Sequence, residues 1–268
     1  MSMISSTTNP TIKAIRALRQ RTAREERGVF FVEGIRLVGE AADLNIPLEM
    51  VVTAPDLLNS EFARQVVTRL IKRGVMHLEV TASVFESISG KDNPQGIGVV
   101  ARQQWIPFES IRAARGLGWV ALVEAQDPGN IGTILRTADA VGMDGVILLG
   151  PCADPYDPGA VRASMGALFS LQLVRGSFEQ FQQWQKRIGF PVIGTSDSAE
   201  LDYQQKRYPS PLVVLMGSER QGLTPAQQAI CETMVSIPMR GRSDSLNLAV
   251  ATGVMLYEVL NQQRRNHP

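Results

Sequence analysis

The stretch Asp127–Gly150, DPGNIGTILRTADAVGMDGVILLG, places a glycine-punctuated helix before an apolar strand. Two later blocks have the same make-up. Gly217–Gly222, GSERQG, follows the apolar run PLVVLM, and Ser236–Asn247, SIPMRGRSDSLN, opens the last predicted helix. In open α/β sheets, ligands collect beyond the carboxyl ends of the strands. The three blocks therefore indicate a site that holds a small cofactor with backbone groups and positions an anionic substrate with one arginine.

The second half of the chain alternates apolar segments with amphipathic ones. Strands are predicted at Trp119–Glu124, Gly145–Leu149, Leu171–Val174, Val192–Thr195, Leu212–Met216 and Met234–Ile237. Helices are predicted at Ile131–Val141, Pro158–Phe169, Phe178–Ile188, Thr224–Cys231 and Leu246–Gln262. Strands that are apolar throughout and separated by helices are typical of a buried, mostly parallel sheet.

The first part of the chain is predicted to form a smaller α/β unit. Residues 1–28 are expected to form a basic helical arm that Gly28 ends, and residues 29–102 the unit itself. Its predicted strands are Val29–Val32, Leu48–Thr53, His77–Val80 and Ile97–Ala101, and its predicted helices are Ile35–Asp43, Ser60–Arg73 and Ser83–Ile88. Residues 103–118 are expected to link it to a second domain over residues 119–268. The GLGWVA in this linker is no dinucleotide fingerprint, because its glycines precede a strand instead of following one.

Composition excludes several classes of protein. The net charge is only +1, so the protein as a whole lacks the positive electrostatic field that would indicate a nucleic-acid-binding protein. Two cysteines and two histidines are too few and too isolated for a disulfide framework or a metal centre. The first residues lack the apolar core of a signal peptide, and no run of about 18 apolar residues could span a membrane. A cytoplasmic enzyme without a metal is therefore expected.

Charge is uneven along the chain, because the segment between positions 13 and 27 contains six basic residues and only two acidic ones, Glu25 and Glu26. Lys13, Arg16 and Arg19 could contact RNA phosphates, or they could belong to a solvated helix end. Arg162, in a helix that follows two prolines, could likewise reach a phosphate or form a salt bridge.

Five polar residues stand out in the three blocks, and each also has a plain structural interpretation. Asn130 lies where a helix cap belongs. Arg136 lies off the apolar stripe of its helix and could be an ordinary exposed arginine. Glu219 could brace its loop, and either Ser245 or Asn247 could cap the last helix and do nothing more.

The three blocks, in this order, resemble the SpoU (TrmH-like) family of the SPOUT RNA methyltransferases. The resemblance covers about residues 119–262, through MGSERQGL and SIPMRGRSDSLNLAVATG as well as the first block, where Asp127 replaces a frequent Asn. FFVEGIRLVGEA and DNPQGIGVVA resemble the ribosomal-protein-like α/β/α domain that precedes the catalytic domain in many of these enzymes.

The resemblance implies a C-terminal trefoil knot, a homodimer with a shared site, and methyl transfer from S-adenosylmethionine to a ribose 2′-hydroxyl of RNA. It implies a cofactor site at Leu215, Met216, Gly217, Ile237, Ser245 and Leu246. It implies a catalytic set of Asn130, Arg136, Glu219, Ser245 and Asn247. Because an arginine with a pKa above 12 is a reluctant base, Arg136 is better interpreted as a phosphate clamp, with the role of general base left open. RNA contacts are expected from Lys13, Arg16, Arg19 and Arg162.

Three other functions compete with this interpretation. The chain could be a non-catalytic RNA-binding protein with the same fold, it could methylate a base instead of a ribose, or it could be an unrelated nucleotide-binding enzyme. The two-domain layout favours 23S ribosomal RNA as the substrate over transfer RNA, by analogy of fold alone.

Overall fold

The computed structural model describes residues 3–111 and 116–266, so that part of the predicted linker, 112–115, lies outside the described residues. The strands are β1 (Val29–Glu33), β2 (Leu48–Thr53), β3 (Met76–Glu79), β4 (Ile97–Arg102), β5 (Gly118–Val123), β6 (Gly145–Leu149), β7 (Gln172–Gly176), β8 (Val192–Thr195), β9 (Leu212–Met216) and β10 (Thr233–Val235). The helices are α1 (Pro10–Ala17), α2 (Arg21–Arg27), α3 (Ile35–Asp43), α4 (Glu61–Lys72), α5 (Ala82–Ile88), α6 (Pro128–Val141), α7 (Pro158–Ser164), α8 (Phe178–Ile188), α9 (Pro225–Gln228) and α10 (Leu248–Asn266). Every predicted strand is present, with ends shifted by at most two residues.

The chain divides into two compact units. The first comprises the described residues up to Gln103 together with Tyr156–Phe169, and the second comprises the rest. The sequence placed Tyr156–Phe169 within residues 119–268, but its side chains pack in the first unit. Phe30, for example, contacts the rings of Tyr156 and Phe169 at centroid distances of 4.6 and 6.5 Å.

The first unit is built on a mixed sheet in the order β1-β4-β2-β3. The β1–β4 and β2–β4 pairs are antiparallel, and β2–β3 is parallel. The expected single helical arm is wrong in one respect, because the segment breaks at residues 18–20 into α1 and α2. Ile12, Ile15 and Leu18 are almost fully buried in the core of this unit. The basic segment is therefore an integral layer of the first unit, and its removal would expose that core.

The buried side chain of Arg24 connects the basic segment to the rest of the first unit. Its side chain is 2% exposed, donates to the carbonyls of Leu18 and Arg19 at 2.9 Å, and meets the Asp157 carboxylate at 3.4 Å. A buried guanidinium that satisfies several acceptors is costly to remove, because the acceptors are left without a donor.

Replacing Arg24 with Met, which keeps the length of the side chain and removes its donors, should lower the free energy of unfolding by about 3 kcal/mol. Urea denaturation followed by circular dichroism would measure the loss. The matched control is Arg64→Ala, since Arg64 forms only an exposed ion pair with Glu61 at 3.8 Å, and its loss should change stability by no more than about 0.5 kcal/mol. Equal stability of the two variants would show that the Arg24 contacts contribute nothing.

The second unit confirms the parallel sheet that the apolar strands predicted. Its order is β10-β8-β9-β5-β6-β7, and every neighbouring pair is parallel. The core on one face gathers Trp119, Phe181 and Trp184. On α6 the buried stripe is Ile131, Ile134, Leu135 and Ala138, as its spacing predicted.

Several helix ends differ from prediction, and a capping residue accounts for the start of α6, the start of α9 and the end of α7. α6 begins at Pro128, because Asp127 accepts a hydrogen bond from the Asn130 N–H at 2.8 Å. α9 is limited to Pro225–Gln228, after a capping box between Thr224 and Gln227. The helix predicted over Pro158–Phe169 stops at Ser164, where Met165 adopts φ 53°. None of the described helices combines the length and apolar character that crossing a bilayer requires.

Candidate active site

A cavity of about 760 Å³ opens in the second unit beyond the carboxyl ends of three adjacent strands, β8, β9 and β10. Two loops enclose it, residues 217–224 after β9 and residues 236–247 after β10. It is lined by Thr195, Ser196, Asp197, Ser198, Met216, Gly217, Ser218, Glu219, Arg220, Gln221, Gly222, Leu223, Gln228, Val235, Ile237, Met239, Asp244, Ser245, Leu246, Asn247, Leu248 and Ala251. Its volume lies in the range of small-molecule sites.

The first of these loops is a tight backbone hairpin. Ser218 and Gly222 exchange two backbone hydrogen bonds, of 3.2 and 3.0 Å, and Gly222 adopts φ 64°. Gly217 lies directly against the returning strand, so that a Cβ on it would come within 2.2 Å of the Gly222 carbonyl carbon. The hairpin can therefore form only with a glycine at this position, and it presents backbone groups to the cavity.

A chain of side-chain hydrogen bonds joins the three sequence blocks at the edge of this cavity. The Asn247 amide donates to the Asn130 carbonyl oxygen at 2.9 Å, and the Asn130 amide donates to Glu219 at 3.4 Å. The backbone N–H of Gln126 donates to the second Glu219 oxygen at 3.4 Å. Residues separated by as many as 117 positions thus hold one another in a fixed orientation.

The capping roles of the predicted catalytic residues need correction. Asn130 does not cap α6, since its own N–H is the group that Asp127 caps. Ser245 does not cap α10 either, because Asn247 accepts hydrogen bonds from the backbone N–H groups of Ala249 and Val250. Freed from capping, the Asn130 side chain is available for the hydrogen bonds to Asn247 and Glu219.

Arg136 lies on α6, six residues and about 9 Å along the helix axis from Asn130. Its side chain is exposed and makes no hydrogen bond or ion pair within the described part of the chain. It is not among the residues that line the cavity. The structure therefore brings Asn130, Glu219 and Asn247 together, and leaves the Arg136 side chain without a partner among the described residues.

Five of the six predicted cofactor-binding residues line the cavity, namely Met216, Gly217, Ile237, Ser245 and Leu246. The sixth, Leu215, is fully buried, and its side chain belongs to the hydrophobic core. The contact expected of this block is made largely through backbone groups, so the assignment of Leu215 stays a prediction.

Residues 195–198 at the end of β8 form one wall of the cavity, although no sequence pattern assigned them to the site. Their signal was present, because Thr195 ends a predicted strand of a parallel sheet. What the sequence did not contain is the strand order, which makes β8 and β10 neighbours.

The four predicted RNA contacts differ in their surroundings in the first unit. Lys13 is exposed on α1. Arg16 donates to the carbonyls of Thr7 and Ser87 and to the Ser87 hydroxyl at 2.8–3.1 Å, and Arg19 donates to the Ser89 carbonyl. Both guanidinium groups thus already stabilise the unit itself. The Arg162 side chain is exposed and makes no hydrogen bond or ion pair with any described residue.

Neither cysteine provides a thiolate at neutral pH. Burial raises the pKa of the Cys152 thiol above its ordinary value, and burial raises the pKa of Cys231 to about 12. Among the described residues, no group of three or more His, Cys, Asp or Glu side chains is arranged to hold a metal ion.

A parallel α/β unit with a glycine-framed cavity at its strand ends defines a class of small-molecule-binding α/β domains, and comparison with solved structures identifies its structural relatives as RNA methyltransferases. The AdoMet-bound rRNA methyltransferase from Sinorhizobium meliloti superposes on this chain with a TM-score of 0.90 at 39% identity, covering 100% of this chain and 98% of that one. Such a match over nearly the full length of both chains includes both units.

The sequence profile of the SpoU rRNA methylase family matches residues 119–257, and that of the MRM3-like substrate binding domain matches residues 9–98. The chain belongs to the SpoU rRNA methylase family, which confirms the resemblance in the three blocks. It is 30% identical to the 23S rRNA (uridine(2479)-2'-O)-methyltransferase of Streptomyces viridochromogenes, over 92% of this chain and 87% of that protein. It is 28% identical to the 23S rRNA (guanosine(2553)-2'-O)-methyltransferase RlmP of Bacillus subtilis, over 97% and 99%.

Proposed function

We propose that this protein transfers a methyl group from S-adenosylmethionine to a ribose 2′-hydroxyl of RNA, and that the RNA is 23S ribosomal RNA. The observation that carries the proposal is the hydrogen-bonded chain of Asn247, Asn130 and Glu219 at the edge of the cavity. It fixes amide and carboxylate groups beside a cofactor-sized space, within a family of rRNA methylases. Such an enzyme would act in the cytoplasm.

The residues of the cavity fit S-adenosylmethionine. Met216, Ile237, Leu246 and Leu248 offer apolar surface to an adenine ring, and the Gly217–Gly222 hairpin offers backbone groups to the polar parts. Ser245 and the exposed Asp244 supply polar side chains at the opposite loop. When bound, the cofactor supplies an electrophilic methyl group on a sulfonium.

The protein would then have to position and activate a hydroxyl that is a poor nucleophile. Alignment of the reacting atoms supplies much of the rate in such a transfer. We assign Asn130, Glu219, Ser245 and Asn247 to orienting the ribose. Arg136, with its donors unused by the described residues, would bind the adjacent phosphate and stabilise the negative charge that develops on the oxygen.

Two architectural features belong to the same proposal. We propose that the chain after β9 is threaded as a trefoil knot, since α10 returns from the cavity to pack against α6 and β9. We also propose a homodimer that completes the site. Val250 and Tyr257 support it, because they are 52% and 49% exposed and lie seven residues apart on one face of α10.

The first unit would select the RNA. Its match to a substrate binding domain and its exposed basic residues Lys13 and Arg162 support this assignment. Contacts to phosphates should make affinity fall with salt, with a log–log slope near −0.7 per phosphate for single strands.

The function is tested with tritiated S-adenosylmethionine and RNA that lacks the modification, taken from a strain without this protein. Label in nuclease-resistant dinucleotides of 23S RNA, scored by mass, would support the proposal. Label in transfer RNA would show that the substrate is transfer RNA instead of 23S RNA. Label in mononucleosides with methylated bases would show that the acceptor is a base instead of a ribose. RNA binding without any label would show that the protein is not catalytic.

Asn247 offers a test that separates catalysis from stability. Asn247→Asp keeps an oxygen to cap α10, where a negative charge is also favourable, but it cannot donate to Asn130. We expect unchanged or slightly higher thermal stability, with methyl transfer reduced about 10- to 100-fold. Asn247→Ala should lose the cap as well, at a cost of about 1 kcal/mol. Full activity in the Asp variant would remove the Asn247–Asn130 hydrogen bond from the mechanism.

A further inference from the structure

A second cavity, of about 330 Å³, lies wholly within the first unit. It is enclosed by α1, β1, α3, α5 and α7, and its volume is in the range of small-molecule sites. Its walls are mainly apolar, formed by Ile15, Leu18, Phe31, Leu37, Ile88 and Val161. It is separate from the cofactor cavity, which is built by other elements in the other unit.

Four charged side chains line this cavity, Arg19, Glu33, Asp157 and Arg162. The Asp157 carboxylate is already engaged, because it pairs with Arg24 at 3.4 Å and accepts from the Gly159 backbone N–H at 2.8 Å. Arg162 Nη1 and Glu33 Oε1 lie 3.3 and 3.4 Å from one point, the position that a Cβ would take on Gly90. Although they face the same point, these two described side chains form no ion pair. They therefore leave a gap with a hydrogen-bond donor on one side and acceptors on the other.

The Glu33 carboxylate is held in place and still has acceptor capacity. It accepts from the Gly90 backbone N–H at 2.9 Å and from the Ser89 hydroxyl. A carboxylate has about four lone-pair sites, so two bonds remain to be made. The loop that carries Ser89 and Gly90 is itself fixed, since Arg19 donates to the Ser89 carbonyl.

We propose that this cavity binds an unpaired guanine base of the substrate RNA, an inference that rests on the proposed function. Bases of single-stranded RNA are recognised when they are splayed out, surrounded by apolar or aromatic groups and hydrogen-bonded at their edges. Guanine presents two adjacent N–H groups, which suit a carboxylate, next to the O6 acceptor, which suits an arginine. The Glu33 carboxylate accepts hydrogen bonds from the two N–H groups, and the Arg162 guanidinium donates to O6.

The charges argue against the simpler occupant, a phosphate group. A phosphate offers only acceptors and would meet the Glu33 carboxylate as a like charge, while the apolar walls would gain nothing from it. At this edge adenine presents one N–H of its exocyclic amine, and uracil presents one ring N–H. Neither base can therefore donate to both of the remaining acceptor sites of Glu33.

The proposal is tested by fluorescence anisotropy of the full-length protein, without cofactor, at fixed salt. The probes are two labelled nine-nucleotide oligouridylates, one with a central guanosine and one with a central adenosine. The wild type should bind the guanosine probe about tenfold more tightly. Glu33→Gln, which retains an acceptor for Gly90, and Arg162→Ala should abolish this preference.

Gly90→Ala is the sharpest variant, because it places a methyl group in the gap itself. Gly90 does not require a positive φ, so the backbone tolerates alanine. The variant should bind both probes equally with a nearly unchanged melting temperature, because the Arg162 terminus, 3.3 Å from the new methyl group, is exposed and can shift. Lys72→Ala, which removes an exposed charge on α4 outside the cavity, should keep the tenfold preference.

Equal binding of the two probes by the wild type, or a preference that persists in Gly90→Ala, would overturn the proposal. Full competition by guanosine monophosphate at the concentration of the RNA would assign the cavity to a free nucleotide and overturn the assignment to RNA. This binding assay is independent of the methyl-transfer assay described above. A guanosine preference in a protein that does not methylate RNA would refute only the proposed function. Methylation by a protein without the guanosine preference would refute only the assignment of this cavity to guanine.

Discussion

Arg136→Ala should reduce methyl transfer at least 100- to 1000-fold and leave the affinity for S-adenosylmethionine nearly unchanged. Removing one preorganised donor that stabilises developing charge costs this much in other enzymes. The cofactor should still bind, because Arg136 does not line the cavity. The fold should be unaffected, since the side chain is exposed and makes no hydrogen bond or ion pair with the described residues.

Single-turnover transfer with saturating RNA measures the chemical effect, and calorimetric titration measures the cofactor affinity. Arg136→Lys is the informative companion, because it keeps the charge but not the paired donors that fit a phosphate, and it should recover only part of the rate. The control is Lys186→Ala, which removes an exposed charge on α8 that does not line the cavity. Turnover by Arg136→Ala at the wild-type rate would remove this residue from the mechanism.

Gly217→Ala should weaken cofactor binding about 100-fold or more. The added Cβ would meet the Gly222 carbonyl carbon at 2.2 Å and its oxygen at 2.6 Å, both backbone atoms that cannot rotate away. The Ser218–Gly222 hairpin must therefore open or move, and losing two backbone hydrogen bonds to the cofactor, at about 1.4 kcal/mol each, would weaken binding about 100-fold.

The other loop of the same cavity supplies the matched control. Gly241→Ala adds the same methyl group where nothing lies within 4 Å, and it needs no positive φ. Its cofactor affinity should equal that of the wild type. Calorimetric titration of both variants with S-adenosylmethionine checks the comparison. Wild-type affinity in Gly217→Ala would mean that the hairpin does not form the binding surface.

Local signals predicted the elements well, and they failed where a cap or a turn depended on a neighbouring residue. The bounds of β6, β8 and β9 were correct, because uninterrupted apolar runs bounded by Gly, Pro and polar residues leave little choice. The start of α6 was misplaced because both Asp127 and Asn130 can cap a helix, and only the backbone geometry shows that Asp127 does so.

The basic segment shows a different limit of the sequence. Its charges suggested an arm directed toward RNA, yet Arg16, Arg19 and Arg24 all donate to carbonyl groups of the first unit. A sequence records that an arginine is present but not what its guanidinium contacts, and these acceptors lie as many as 71 residues away.

The sequence by itself determined the alternation of strands and helices, the buried parallel sheet, the three glycine-rich blocks and, through them, the family. These properties depend on short-range periodicity and on residue types. Only the tertiary structure decided that β8 and β10 are neighbours, that Asn130, Glu219 and Asn247 are hydrogen-bonded to one another while Arg136 is not, and that α7 completes a cavity in the first unit. Those outcomes depend on strand order and on the return path of the chain, and both are set by packing of the whole core, which no local pattern encodes.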